Sequence, residues 1–169
     1  GDAPNVRRTT DNQPAQRSIA AICLKFIAEK LPGYADAEQD CFRSAMRVLC
    51  SLFGETPAVN FGPIALRAVR AAMVAGDPHA VDADGLPKPR KPWSRGFTNR
   101  EIKRLKYLFR WAVGWELISQ SVADALANVE ALKPGETEAA DYKPRRAVPD
   151  ADIAAVRAVL SELHRDVLD

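Results

Sequence analysis

The stretch SRGFTNREIKRLKYLFRWAVGW, residues 94–115, decides the fold class because it has the periodicity of one long amphipathic helix. At about 100° per residue, its apolar side chains collect on one side of the helix. Those residues are Ile102, Leu105, Leu108, Phe109, Ala112 and Val113. The other side holds Asn99, Lys103, Lys106, Tyr107 and Arg110, flanked by Arg100 and Arg104. The stretch therefore predicts a helix that packs on a core through one face and presents a basic face opposite.

The start of this helix is predicted from a capping box. Thr98 is followed three residues later by Glu101. In a capping box the Thr98 side chain accepts from the backbone N–H of Glu101, and the Glu101 side chain accepts from the backbone N–H of Thr98. We expect Thr98 to be the N-cap.

Positive charge is concentrated around the same stretch. Between Leu86 and Arg110 there are nine Lys or Arg residues and one acid, Glu101, a local net charge of +8 in a chain whose total is +2. The cations are Lys88, Arg90, Lys91, Arg95, Arg100, Lys103, Arg104, Lys106 and Arg110. A helix that is merely solvated gains from acid–base pairs four residues apart, and this one offers almost none. The pattern is typical of a surface that binds a polyanion, most often nucleic acid.

Helical periodicity also runs through the rest of the chain. Apolar stripes predict helices over about residues 17–30, 36–53 and 63–75, a short helix over 121–128, and a final helix that begins at Asp150. No strand pattern is stronger than the helical one anywhere. The expected fold is all-α: a bundle of four or five helices, then a linker and one C-terminal helix.

Composition divides the chain into four parts. Residues 1–16 are polar and aperiodic and are predicted to be flexible, whereas 17–130 form the helical domain. Within that domain, residues 76–96 contain four prolines and are expected to form an extended, partly mobile loop. Residues 131–149 are predicted to be a linker and 150–169 the last helix. No apolar run could span a membrane and no signal peptide is evident, so we expect a soluble cytoplasmic protein.

Residues able to carry out catalysis or bind a metal are sparse. The two histidines do not stand at zinc-ligand spacing with a cysteine, and there is no glycine-rich phosphate loop. The three cysteines lie inside apolar helical patterns, where we expect buried thiols that pack as small hydrophobes. The sequence predicts a binding function, with no catalytic residue, cofactor or metal in this chain.

A family resemblance adds to this interpretation. The run TNREIKRLKYLFRWAVGWELISQSVADALANV, residues 98–129, resembles the last helices of the core-binding (SAM-like) domain of tyrosine recombinases, the phage-integrase family. The matching positions are Asn99-Arg100, Ile102, Leu105-Lys106, 109–112 and Leu117-Ile118. Gln120-Ser121-Val122 stand where many members have Asn-Pro. Residues 18–53 and 60–73 are similar to the family's preceding helices, and 143–160 to its linker and the opening helix of its catalytic domain.

The resemblance implies a SAM-like orthogonal helical bundle and a role in DNA integration or recombination. Members of the family cut and rejoin DNA with a catalytic domain that follows this one. The expectation is that this chain holds the core-binding domain and the first catalytic-domain helix, without catalytic residues of its own. The implied setting is the bacterial nucleoid, where family members assemble with further protomers on DNA. A lone core-binding domain is expected to be monomeric.

The resemblance also implies which residues contact DNA, since this domain forms half of a clamp around the duplex. The expected contacts are Lys88, Arg90, Lys91, Arg95, Asn99, Arg100, Lys103, Arg104, Lys106, Tyr107, Arg110, Arg145 and Arg146. We expect Arg100 and Lys103 to read base edges and most of the other cations to hold phosphates.

Two alternatives remain open at this stage. A helical protein-interaction module could dock an acidic partner on the same cationic face. A helical RNA-binding domain would differ in preferring RNA over duplex DNA of the same length.

Overall fold

The computed structural model describes residues 17–81, 84–141 and 147–159, and this part of the chain is helical. Its six α-helices are α1 (Ile19–Glu29), α2 (Asp36–Phe53), α3 (Pro63–Ala75), α4 (Arg95–Gly114), α5 (Gln120–Ala127) and α6 (Asp150–Val159). Short 3-10 turns at Leu31–Gly33 and Ala58–Asn60 join the first three helices. No strand forms within those described ranges, which confirms the predicted all-α class.

Helix α4 lies at the centre of the bundle and contacts α1, α2, α3 and α5. Its apolar stripe is buried as the periodicity predicts, and Leu105, Leu108, Phe109 and Ala112 have no exposed surface. The ring of Phe109 stacks on that of Phe61, with 5.0 Å between ring centroids. Because four helices pack around α4, its remaining face has a defined orientation in the bundle.

The start of α4 differs from the prediction. Ser94 is the N-cap, and its side chain accepts a hydrogen bond from the backbone N–H of Phe97 over 3.4 Å. Thr98 instead lies inside the helix with no exposed surface, and Glu101 is buried one turn further on. The capping-box prediction was therefore wrong, because both of its polar side chains turn towards the protein interior.

The proline-rich loop between α3 and α4 is held together by backbone contacts between its two ends. Asp77 and Arg90 form an isolated antiparallel bridge, as do Val81 and Pro87. Gly76 has φ 75°, and a Cβ there would lie 2.7 Å from the carbonyl oxygen of Arg90. Glycine is thus required where the loop leaves α3. The loop returns the chain to the start of α4.

Residues 131–141, predicted as part of a linker, lie against the start of α4. The backbone N–H of Arg95 donates to the carbonyl oxygen of Ala140 over 3.1 Å, and the side chain of Ala139 is buried. Helix α6 follows with half-exposed apolar residues such as Val156. In the described ranges no helix is both long and apolar enough to cross a bilayer.

Candidate nucleic-acid interface

The outer face of α4 presents a stripe of exposed cations. Arg100, Lys103 and Arg110 are spaced three and seven residues apart, which places them on one side of the helix, and all three are exposed. Within the described ranges these three side chains form no ion pair with a carboxylate. From Arg100 to Arg110 the stripe extends about 15 Å at 1.5 Å per residue. That length is similar to the ~12 Å width of the DNA major groove.

The single acid of α4 is withdrawn from this stripe. Glu101 has no exposed surface, and its Oε1 accepts a hydrogen bond of 2.6 Å from Nη1 of Arg104. Arg104 also donates from Nε and Nη2 to the two carboxylate oxygens of Glu38 on α2, at 2.8 and 2.7 Å. Arg104 is thus neutralised by two acids and faces α2. No carboxylate on α4 is left to weaken the positive potential of the stripe.

The two acids bound by Arg104 differ in proton affinity. Burial raises the pKa of Glu101 to about 7, against an opposing pull from Arg104. The hydrogen bonds from Arg104 lower the pKa of the more exposed Glu38. Oε2 of Glu101 and Oγ1 of Thr98 are buried without a hydrogen-bond partner. A buried carboxylate that is only partly paired is easier to protonate than one in water.

One edge of the predicted basic face binds backbone rather than lying free. Nδ2 of Asn99 donates to the carbonyl oxygen of Leu132 over 3.0 Å, and its Oδ1 accepts from the N–H of Leu132 over 2.9 Å. Nζ of Lys106 donates to the carbonyl oxygen of Ala127, the last residue of α5, and to that of Val129 just after the helix. Burial and the neighbouring cations lower the pKa of Lys106. Asn99 and Lys106 therefore hold the chain that follows α5 against α4.

The other edge of that face joins the aromatic core. The half-buried ring of Tyr107 packs against Phe26 and Phe42, each with 6.3 Å between ring centroids. Trp111 also contacts Phe26, whereas the exposed Trp115 lies beneath the ammonium group of Lys25. The face predicted as uniform is thus divided into a free stripe and two edges that make internal contacts.

At the start of α4, cations and aromatic rings alternate. The guanidinium of Arg90 lies 5.4 Å from the ring centroid of Trp93, and that of Arg100 lies 5.7 Å from Phe97. The two rings meet edge to face, with 4.9 Å between centroids. Such cation–π contacts limit the rotamers of Arg100 while its charge stays in solvent. These alternating cations and rings orient Arg100 at the end of the stripe.

The loop cations fall into two groups. Lys88 and Lys91 are exposed, whereas Arg90 donates to the carbonyl oxygens of Ala72 and Met73 at the end of α3. Arg95 forms an ion pair with Asp141 at 2.5 Å. Among the described residues no carboxylate pairs with Lys88 or Lys91, which leaves these two loop cations available. The predicted contacts Arg145 and Arg146 lie outside the described residues.

Two cations on α3 were missed by the sequence interpretation. Arg70 is close enough to Lys106 to lower the pKa of that amine, and Arg67 in turn acts on Arg70. Arg70 donates to the carbonyl oxygen of Glu130 over 2.6 Å. Arg67 and Arg70 are three residues apart, so the sequence alone places both on one face of α3. That this face lies beside the basic surface follows only from the packing of α3 on α4.

The described residues include no cluster of side chains suited to metal binding. No group of three or more His, Cys, Asp or Glu residues among them could hold an ion. Cys23 is buried, Cys41 and Cys50 are partly buried, and all three are free thiols. A hydrogen bond with Cys50 and burial raise the pKa of Cys23, which keeps it a protonated thiol.

Comparisons of the chain with protein-family models, with curated proteins and with solved structures find no match.

Proposed function

We propose that this chain binds duplex DNA through the basic face of α4, as the core-binding domain of an integrase-like tyrosine recombinase. The observation that carries the proposal is the exposed stripe of Arg100, Lys103 and Arg110, from which the only acid of the helix is withdrawn. A cationic surface with no interspersed carboxylate attracts phosphates over its whole length. The sequence resemblance supplies the recombinase part of the proposal.

In this proposal the contacts have different roles. Lys88, Lys91 and Arg110 hold phosphates, while Arg100 and Lys103 lie at the part of α4 nearest the bases. Arg104 and Tyr107 act as supports, since they fix α4 against α2 and α1. Breaking and rejoining of DNA belong to a catalytic domain that follows in the parent protein. Within that protein, further protomers would assemble on the same DNA.

The number of free cations sets the expected salt dependence. On the proposed surface, the described cations that are exposed and form no ion pair are Lys88, Lys91, Arg100, Lys103 and Arg110. Each phosphate neutralised contributes roughly −0.9 to the slope of log affinity against log salt concentration. If each of these five cations neutralises one phosphate, that slope is about −4.5.

A competition experiment tests the proposed partner. The chain is bound to a fluorescent DNA duplex of about 25 base pairs and titrated with unlabelled duplex DNA, duplex RNA of equal length, or an acidic protein. The proposal predicts that the DNA duplex competes best. Stronger competition by RNA or by the acidic protein would overturn it in favour of that partner.

A further inference from the structure

Residues 130–141, here called the acidic strap, lie across the start of α4 and beside α3. The strap contains four acids and one lysine, a net charge of −3: Glu130, Glu136, Glu138, Asp141 and Lys133. A groove of about 490 Å³ runs between the strap and α3, with Glu136 and Glu138 in one wall and Arg67 and Arg70 in the other. The strap therefore brings negative charge against the basic surface.

Three side chains of the basic surface hold the strap. Asn99 forms its two hydrogen bonds with the backbone of Leu132. Arg70 donates to the carbonyl oxygen of Glu130, and Arg95 pairs with Asp141. The backbone N–H of Arg95, at the first turn of α4, is occupied by the carbonyl oxygen of Ala140. While the strap is bound, these donors are unavailable to a phosphate.

The contacts that hold the strap are weak compared with those a phosphodiester could make. Arg70 donates to a neutral carbonyl oxygen, although a charged donor bonds more strongly to an anionic acceptor. The Arg95–Asp141 pair is partly exposed, with 26% and 44% of the two side chains accessible, so water screens it. The strap packs through only two apolar side chains, the buried Ala139 and the partly buried Leu132. Little apolar surface is exposed when the strap lifts.

We propose that the acidic strap covers a second set of phosphate contacts, Arg70, Arg95 and the first turn of α4, and that the DNA backbone displaces it. This inference rests on the proposed function, because the displacing anion is the phosphate backbone of the same duplex. The chain then has a covered state with five free cations and an open state with seven. A free helix start beside Arg95 suits a phosphate, since backbone N–H groups and the helix dipole both favour an anion there.

The Asn99→Ala variant tests the strap without changing net charge. Loss of the two bonds to Leu132 lowers the cost of opening, so affinity for duplex DNA rises about tenfold. The salt slope is about −6 in both proteins, steeper than the roughly −4.5 of the five free cations alone, because DNA displaces the strap in either complex. Asn60→Ala is the matched control, because Asn60 is exposed and outside the strap and α4. Hydrogen exchange of residues 130–141 without DNA must be faster in Asn99→Ala than in the parent chain. Adding DNA to the parent chain must also accelerate exchange there.

Each outcome of this test has one meaning. If the parent chain binds DNA and Asn99→Ala binds equally or more weakly, the strap is not a competitor and the inference is overturned while the proposed function stands. If neither protein binds DNA even at low salt, the proposed function fails and the inference fails with it. If Asn99→Ala binds DNA and the parent chain does not, both are supported.

A second variant keeps the test valid if Asn99→Ala loses helicity. Glu136→Gln/Glu138→Gln removes two charges from the strap, and Glu55→Gln/Glu116→Gln removes two exposed charges elsewhere. The inference predicts a larger gain in DNA affinity for the strap variant than for its charge-matched control. Equal gains would show a general charge effect and overturn the inference.

Discussion

Arg104 donates a 2.6 Å hydrogen bond to Glu101, and this contact turns the only carboxylate of α4 towards the protein interior. The same guanidinium holds Glu38 of α2. The ion-pair cluster therefore orients α4 against α2 and also leaves its outer face purely cationic. Stability and the proposed binding surface are linked through these three residues.

Glu101 makes stability depend on pH near neutrality. Its folded-state pKa is raised from 4.5 to about 7, so the folded chain binds this proton more tightly than the unfolded chain. The stability that this tighter proton binding contributes is fully present below about pH 4.5 and is lost as pH rises through about 7. We expect Glu101→Gln to remove this fall in the free energy of unfolding. Urea titrations at several pH values measure the free energy of unfolding. If it falls with pH in the variant as steeply as in the parent chain, the assignment to Glu101 is contradicted.

Glu38 contributes with the opposite sign. Its pKa is lowered by Arg104, so its contribution is present above the usual carboxyl pKa and is lost as pH falls through the lowered value. We expect Glu38→Gln to destabilise the chain at neutral pH and to have a smaller effect in acid. The measurement is the same set of urea titrations. Asp40→Asn, which changes an exposed acid on α2, is the control and should change stability little.

The core around α4 predicts a large cost for truncating its apolar stripe. Leu105 has no exposed surface, and Leu105→Ala should lower the free energy of unfolding by about 2–5 kcal/mol because it leaves a cavity. Leu24→Ala is the control, since 67% of Leu24 is exposed. Chemical denaturation measures both. A loss below about 1 kcal/mol for Leu105→Ala would contradict the central position of α4.

Sequence reasoning predicted most of the fold because its signals are local. Pro32-Gly33 and Pro63 mark helix ends and starts, and the predicted bounds of α2 and α3 agree with the structure. The true N-cap of α4 was missed because Ser94 follows a proline-rich stretch, whereas Thr98 and Glu101 form a stronger local motif. Local motifs do not show that both side chains are buried.

The division of the basic face could not be predicted in the same way. It depends on partners far along the chain: Arg104 meets Glu38, which is 66 residues away, and Asn99 meets Leu132, which is 33 residues away. Helical periodicity places a residue on a face but does not identify what packs there. The role of Arg70 likewise follows only from its distant contact with Glu130.

The most direct test of the account is DNA binding by a charge-reversed stripe. Lys103→Glu/Arg110→Glu alters two exposed cations of α4, and Arg43→Glu/Arg47→Glu alters two exposed cations of α2 with the same change in net charge. Both variants are first checked for unchanged helicity. Anisotropy with a labelled duplex of about 25 base pairs is then measured across a range of salt concentrations.

We predict that the α4 variant loses binding at least about tenfold more than the α2 variant, and that its salt slope becomes shallower by about 2. Equal losses in the two folded variants would show a general charge effect. Binding by the α4 variant that matches the parent chain would contradict the claim that the outer face of α4 binds DNA.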